Sequence, residues 1–320
     1  MRRAQPPVDA TASGPLRFGI LGAAGIARKA LIPALQAAEG AELVGVASRD
    51  PQRAREMLPG GRAYAGYQEL LDDPEVDAVY IALPNGVHRE WSERALAAGK
   101  HVLCEKPLAV TAAEAQAMTA AAGASGRLLM EAVMYRFHPR IRGVVARLRE
   151  NPPNASWISF GFPLNRPGDI RLDPTLGGGA LLDVGTYTIS LARWIHGEPD
   201  WVRATARGEP VDMTVSVTLA FPSGARAFLF ASFETPEIQE LRSGDVLMAK
   251  PFTSMRDPED PYQLMVEEFS AAALNGLPAP LPLQDSIANL RVVDGIRRSL
   301  DSGGRYDLAE AGQGGSPVLQ

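Results

Sequence analysis

Short apolar runs alternate with stretches whose apolar residues recur every three or four positions through the first 135 residues or so. The runs fall at 16–21, 43–47, 78–83, 102–104 and 128–134, with helical patterns between several of them, as at 87–98 and 112–122. Strand and helix in strict alternation predict a parallel sheet covered on both faces. After residue 135 the rhythm changes. A helix is expected over 139–149 and is broken by Pro152-Pro153. Strand-like runs follow at 157–162, 202–207, 213–221, 225–233 and 245–248. The run from Met213 alternates apolar and polar positions and ends at the turn Pro222-Ser223-Gly224, as expected of an antiparallel sheet with one wetter face. The predicted class is α/β: a doubly wound dinucleotide-binding domain, then an α/β domain on an open, mostly antiparallel sheet. The boundaries are a flexible tail at 1–14, a cofactor domain at 15–135, a substrate and oligomerisation domain at 136–310, and a tail at 311–320.

The first strand runs into Gly22-Ala23-Ala24-Gly25-Ile26-Ala27 and a helix reaching about residue 40. Strand, small-residue turn and helix in that order begin a dinucleotide-binding unit. Gly22 makes the tight turn, Ala24 stands where a second glycine faces the pyrophosphate, and Ala27 packs helix on sheet. Gly25 and Ile26 open the helix, whose free N–H groups suit phosphate. Pro33 is expected to bend that helix. At the end of the second strand, Ser48-Arg49-Asp50-Pro51 decides the cofactor. Asp50 before Pro51 reads as a helix cap, which leaves Ser48 and Arg49 facing the ribose with Arg53 one turn on. That arrangement favours NADP(H) over NAD(H). Leu83, Pro84 and Asn85 end the third strand beside the cofactor, and His88 either faces the nicotinamide or sits in the first turn of the next helix.

Chemistry concentrates in two stretches. Val102-Leu103-Cys104 is a strand buried on both faces, and Pro107 ends its ladder, so Glu105 and Lys106 stand at its carboxyl end, where open α/β sheets bind ligands. Cys104 is expected to be a buried, inert thiol. The second stretch runs from Arg171 through Gly177-Gly178-Gly179 to Asp183 and Tyr187. The glycines allow close approach to a ligand, and Asp183 and Tyr187 share a helix face at a spacing of four. An aspartate in so apolar a segment needs a partner. That partner is either catalytic or a structural ion pair between the domains.

Size and charge narrow the functions. The 320 residues suit two domains, and a net charge of −5 argues against nucleic acid or an anionic membrane as partner. One cysteine excludes an internal disulfide and suits the cytoplasm. Arg2-Arg3 lacks the apolar core of an export signal, and no run approaches a membrane span. The four histidines show no metal-ligand spacing.

Glu105-Lys106-Pro107 after a parallel strand, three glycines leading into Asp183-x-x-x-Tyr187, and the run Met130-Glu131-Ala132-Val133-Met134-Tyr135-Arg136-Phe137-His138-Pro139 together resemble the Gfo/Idh/MocA family. They are most similar to its NADP-dependent D-xylose 1-dehydrogenase and dimeric trans-dihydrodiol dehydrogenase branch. The resemblance covers residues 16 to about 310. It implies a Rossmann domain, a second domain whose open sheet forms a subunit interface, and a cis Lys106–Pro107 bond. It also implies Lys106 and Tyr187 at the reacting oxygen, Asp183 as their partner, and Arg171 beside the nicotinamide. The segment 237–248 is a few residues shorter than in relatives, which bears on the sheet edge. The expected activity is hydride transfer between NADP(H) and a carbinol carbon of a sugar or related polyhydroxylated substrate, with Arg136, Asn165, Arg166, Asp169 and Arg171 offering polar contacts. Lys106 is expected to favour the Tyr187 phenolate. The rivals are an NADP-binding regulatory protein without catalysis and a keto-sugar reductase of the same family.

Overall fold

The computed structural model describes residues 14–253 and 259–308. The expected tails lie outside the described residues, apart from Gly14. Six strands, β1 (Leu16–Leu21), β2 (Ala41–Ala47), β3 (Arg62–Tyr64), β4 (Ala78–Ile81), β5 (His101–Glu105) and β6 (Leu129–Ala132), form an all-parallel sheet in the order β3-β2-β1-β4-β5-β6. The order reverses between β1 and β4, and the crevice at that point lies outside the carboxyl ends of β1, β4 and β5. Helices α1 (Ile32–Ala37), α2 (Pro51–Met57), α3 (Tyr67–Asp72), α4 (His88–Ala97) and α5 (Ala112–Ser125) make the crossovers. Asp50 caps α2 by accepting from the Gln52 N–H at 3.0 Å, as the Asp-Pro pair predicts.

Pro33 changes the first helix in a specific way. Its ring nitrogen cannot donate to the carbonyl of residue 29, and the turn before it, Ala27–Leu31, widens to a π-helix before α1 resumes. A second π-helical turn, Leu181–Gly185, precedes α7 and carries Asp183. Such turns recur at functional sites.

After α6 (Pro139–Glu150), the second sheet comprises β7 (Ala155–Gly161), then, beyond α7 (Thr186–His196), β8 (Trp201–Arg207), β9 (Thr214–Ala220), β10 (Arg226–Ser232), β11 (Ile238–Ser243) and β12 (Val246–Ala249). A final strand, β13 (Arg305–Asp307), completes the order β12-β11-β7-β10-β9-β8-β13. It is antiparallel except for the β7–β10 pair. One face carries the glycine-led segment and α7; the other exposes Trp157 stacked on Phe228. β11 is absent from the apolar pattern because Gln239, Glu240 and Arg242 interrupt it; β13, at three residues, is too short to leave one.

Two helices between β12 and β13 return to the first sheet. α8 (Pro261–Leu274) sets Phe269 against Phe18 of β1 at a ring separation of 5.9 Å, and α9 (Leu283–Ser302) packs on α5. Burying a side chain of that size stabilises by about 1.5–3 kcal/mol. Among the described residues, no helix is long and apolar enough to cross a membrane.

Gly22 is a tight point of the turn after β1. Its φ is +109°, and an added Cβ would lie 2.5 Å from the Ala82 carbonyl oxygen. Gly25, three residues on, has nothing within 4 Å of the corresponding position. Gly22→Ala is expected to cost about 1–3 kcal/mol, with Gly25→Ala close to neutral, in urea unfolding of the apoprotein. Equal stability of the two variants would contradict this packing.

Candidate active site

A cleft of about 840 Å³ opens between the two sheets. Its floor is Ala24, Gly25 and Ile26 from the turn after β1, Leu83 and Asn85 after β4, and Glu105 and Lys106 at the end of β5. Its opposite wall comes from Phe160, Asp169, Arg171, Gly177, Asp183 and Tyr187. The Asn85 side chain donates to the Gly177 carbonyl at 2.8 Å, fastening the glycine loop to the first domain.

Lys106, Asp183 and Tyr187, 77 and 81 positions apart along the chain from the lysine, meet at the centre of this cleft. Lys106 follows a strand that pairs on both sides, so its backbone is fixed, and the Lys106–Pro107 bond is cis. Lys106 Nζ donates to Asp183 Oδ1 at 2.9 Å and to the Asp183 carbonyl at 2.8 Å. Arg171 Nε donates to the other carboxylate oxygen at 2.7 Å, while its Nη1 reaches Asp169 at 3.3 Å. Burial pushes the Asp183 carboxyl up, but the Lys106 ammonium and the Arg171 guanidinium outweigh it and hold the group below the usual carboxylate range. Lys106 Nζ also stands 4.9 Å from the centre of the Tyr187 ring. Two of its three N–H bonds are committed, so one remains for a substrate oxygen.

Tyr187 corrects one expectation. Its ring is packed among Phe160, Phe252 and Tyr135, and its hydroxyl donates to Met134 Sδ at 3.8 Å. Burial raises the phenol well above its ordinary value, and the nearby Glu105 and Asp183 charges act in the same direction. The lysine therefore faces a neutral phenol and not a phenolate. The ammonium lies over the ring face and is paired with Asp183, whose own charge opposes the phenolate.

The cofactor-side residues divide into three groups. Ala24, Gly25, Ile26, Leu83, Asn85, Glu105, Lys106 and Arg171 line the cleft. Gly22, Ala27 and Pro84 do not line it, and Gly22 packs against Ala82. Ser48 and Arg49, just after β2, and Arg53 on α2 stand beyond the cleft. The Ser48 hydroxyl accepts from the Asp50 N–H at 3.2 Å, Arg49 is exposed, and Arg53 donates to the Ala23 carbonyl at 3.3 Å, reaching back to the fingerprint turn. His88 takes the second of its two expected roles. It is fully buried, with ring nitrogens 2.9 Å from both the Leu83 and Pro107 carbonyls, so it ties together the loop ends that line the cleft without facing it. Of the polar residues expected at the substrate, Arg166, Asp169 and Arg171 line the cleft. Arg136 is turned to Asp285 and lies over the Trp194 ring at 4.0 Å.

Sequence reasoning missed several residues in the cleft or buried behind it. Tyr80 hides inside an apolar strand, yet its hydroxyl donates to Glu105. Gln239 and Thr253 bond reciprocally, at 2.6 Å from the amide to the hydroxyl and 3.0 Å from the backbone N–H to the amide oxygen. Tyr262 comes from α8, where the helical pattern gave no functional signal.

The ion pair carries a pH signature. Asp183 has a lower pKa folded than unfolded, so its contribution is present above the unfolded value and is lost as pH falls through the folded one. Asp183→Asn is expected to cost about 3 kcal/mol at neutral pH. That difference should close as pH drops below about 4, which urea midpoints measured at a series of pH values would show. A difference independent of pH would assign the loss to packing.

The folding of this site is shared with known proteins. Residues 16–133 match the family described as an oxidoreductase family with an NAD-binding Rossmann fold, and residues 140–243 match the GFO/IDH/MocA C-terminal domain. The chain is 38% identical to D-xylose 1-dehydrogenase (NADP(+)) 2 of Haloferax volcanii, over 92% of this chain and 100% of that one. It is 36% identical to trans-1,2-dihydrobenzene-1,2-diol dehydrogenase of Mus musculus, over 69% of each. Among solved structures, a 3-ketoreductase from Actinomadura kijaniata in complex with NADP and TDP-benzene superposes with a TM-score of 0.85 at 33% identity, covering 90% of this chain and 98% of that one. Matches that span both sheets place this chain in the GFO/IDH/MocA family of oxidoreductases.

Proposed function

We propose that the protein transfers hydride between NADP(H) and a carbinol or keto carbon of a sugar or related polyhydroxylated compound. The observation that carries this reading is the convergence of Lys106, Asp183 and Tyr187 beside the small-residue turn after β1. The turn fits a dinucleotide: no side chain lies within 4 Å over Gly25, and Gly22 lets the backbone pass under Ala82. NADP(H) bound there supplies the hydride donor or acceptor at its nicotinamide. Arg49 and Arg53 are the residues for its 2′-phosphate, a role the NADP named in the relatives' descriptions supports.

The chain's own groups do the rest. Lys106 places its remaining N–H on the substrate oxygen, and Asp183 keeps the lysine aimed. Tyr187 holds a proton at its phenol oxygen, available to that same substrate oxygen. Arg166, Asp169, Glu237 and Gln239 offer donors and acceptors to further hydroxyls. A second reading, reduction of a keto-sugar, is favoured by the neutral state of Tyr187, which suits proton donation to a forming alkoxide. The exposed face of the second sheet, where Trp157 is 51% exposed and stacks on Phe228, supports self-association through that sheet.

Nicotinamide absorbance, followed with a panel of aldoses, trans-dihydrodiols and keto-sugars and with both cofactors, tests the activity. Turnover is expected with NADP(H), and Lys106→Met should lower kcat about a thousandfold while cofactor affinity, read by fluorescence, holds. Replacing Arg49 and Arg53 together by alanine should weaken NADP(H) about tenfold and leave NAD(H) unchanged. A chain that binds NADP(H) and turns over nothing in the panel would be the regulatory protein instead.

A further inference from the structure

Behind Lys106 and Tyr187, away from the cleft, lies a second, small cavity of about 10 Å³. That is room for a single water molecule. Its wall includes Glu131, Thr186, Ser190 and Asp285. Lys106 and Tyr187 are the two residues that line both this cavity and the cleft, and so form the partition between them.

We propose that this cavity is the proton exit of the active site, in which one water connects Tyr187 to the carboxyl group of Glu131. The proposal rests on the oxidoreductase reading above. It answers a need of that reading. Tyr187 is 5% exposed, and a cofactor and substrate filling the cleft would cover its remaining surface. The proton released in each oxidation, or required in each reduction, must then travel by another route.

The steps balance. In oxidation the carbinol C–H bond breaks with both electrons going to the nicotinamide, and the substrate O–H proton passes to the Tyr187 oxygen. Tyr187 turns its own proton from Met134 Sδ to the water, and the water passes one to the Glu131 carboxylate. Tyr187 and the water end as they began, and Glu131 holds the proton. Asp285, whose side chain is 27% exposed, leads from the same cavity to solvent. Reduction runs each transfer backwards.

Glu131 is built for this position. It sits on β6 opposite Cys104, and its Oε1 accepts from the Leu108 N–H at 2.9 Å, which fixes the carboxyl. The groups around it are Asp285 and Ser286 of α9, Arg193 of α7, and Lys106 and Cys104 of the β5 end. Burial pushes its pKa up to about 6, with Asp285 adding to the rise while Ser286, the Leu108 N–H and Arg193 oppose it. A carboxyl group in that range takes up and releases a proton near neutral pH. Thr186 Oγ1 already accepts from Asn289 at 3.0 Å, which leaves its hydroxyl proton directed elsewhere.

The test uses Glu131→Gln, whose amide oxygen can still accept from Leu108, and Val133→Ile, which adds one methyl group to the cavity wall and keeps every polar group. Both should lower kcat about a hundredfold with NADP(H) affinity unchanged, and both should raise the solvent deuterium isotope effect. Glu131→Gln should also erase an inflection in the kcat–pH profile near 6. Infrared difference titration of the protein without cofactor or substrate gives an independent readout: a buried carboxyl band gained as pH falls through that value, present in wild type and missing from Glu131→Gln. Wild-type kcat and pH profile in both variants would overturn the proton exit while leaving the oxidoreductase reading intact. The infrared band without turnover by wild type on any substrate would instead remove the oxidoreductase reading and the relay with it. If Glu131→Gln fails to fold by circular dichroism, Val133→Ile decides alone.

Discussion

The carboxylate of Asp183, held between an ammonium and a guanidinium, is the contact on which the site depends. Lys106 belongs to the first sheet; Asp183 and Arg171 belong to the second domain. A carboxylate removed from water is expensive unless charges of opposite sign compensate it, and each of these cations satisfies one of its oxygens. The two domains therefore cannot separate without stranding a charge. The ion pair that aims the lysine also closes the cleft around it, so positioning and assembly are one interaction.

The surrounding backbone makes that interaction possible. β5 is paired on both sides and ends at Pro107, so the Lys106 side chain leaves a rigid strand end. The π-helical turn at Leu181–Gly185 offsets Asp183 within an otherwise regular helix, and Asp212 secures its start by accepting from the Leu181 N–H at 2.6 Å. Asn85 and Gly177 hold the loop in front. His88 anchors the floor from below, with both ring nitrogens on carbonyl groups. Support and access to the cleft are divided among neighbouring residues: His88 is buried and holds the loop ends, while Lys106 lines the cleft.

Much of this was legible in the chain, for physical reasons that differ from place to place. The parallel sheet showed itself because strands buried on both faces have to be continuous apolar runs, as at Val102–Cys104. Asp183 stood out because an aspartate amid leucine and valine demands a partner. The Asp50 cap followed from Asp before Pro. What stayed hidden had no periodic signature. β11 reads Ile-Gln-Glu-Leu-Arg-Ser, and its polar residues mask the strand. Tyr80 is one aromatic residue among several in a core strand, and only coordinates reveal that its hydroxyl reaches Glu105. The neutral state of Tyr187 was misjudged because sequence shows that a lysine is near, but not how deeply the phenol is buried or that the lysine is already paired with Asp183.

The return of α8 to β1 bears on how such enzymes are recombined. Phe269 comes from a helix that follows nearly the whole second sheet in sequence, yet it completes the core of the nucleotide-binding half through Phe18. A cofactor module excised at residue 135 would leave that aromatic seat open to water. Chimeras that exchange cofactor specificity between relatives must therefore carry α8 with the first domain, or match its seat residue for residue; the functional unit is stitched from both ends of the polypeptide.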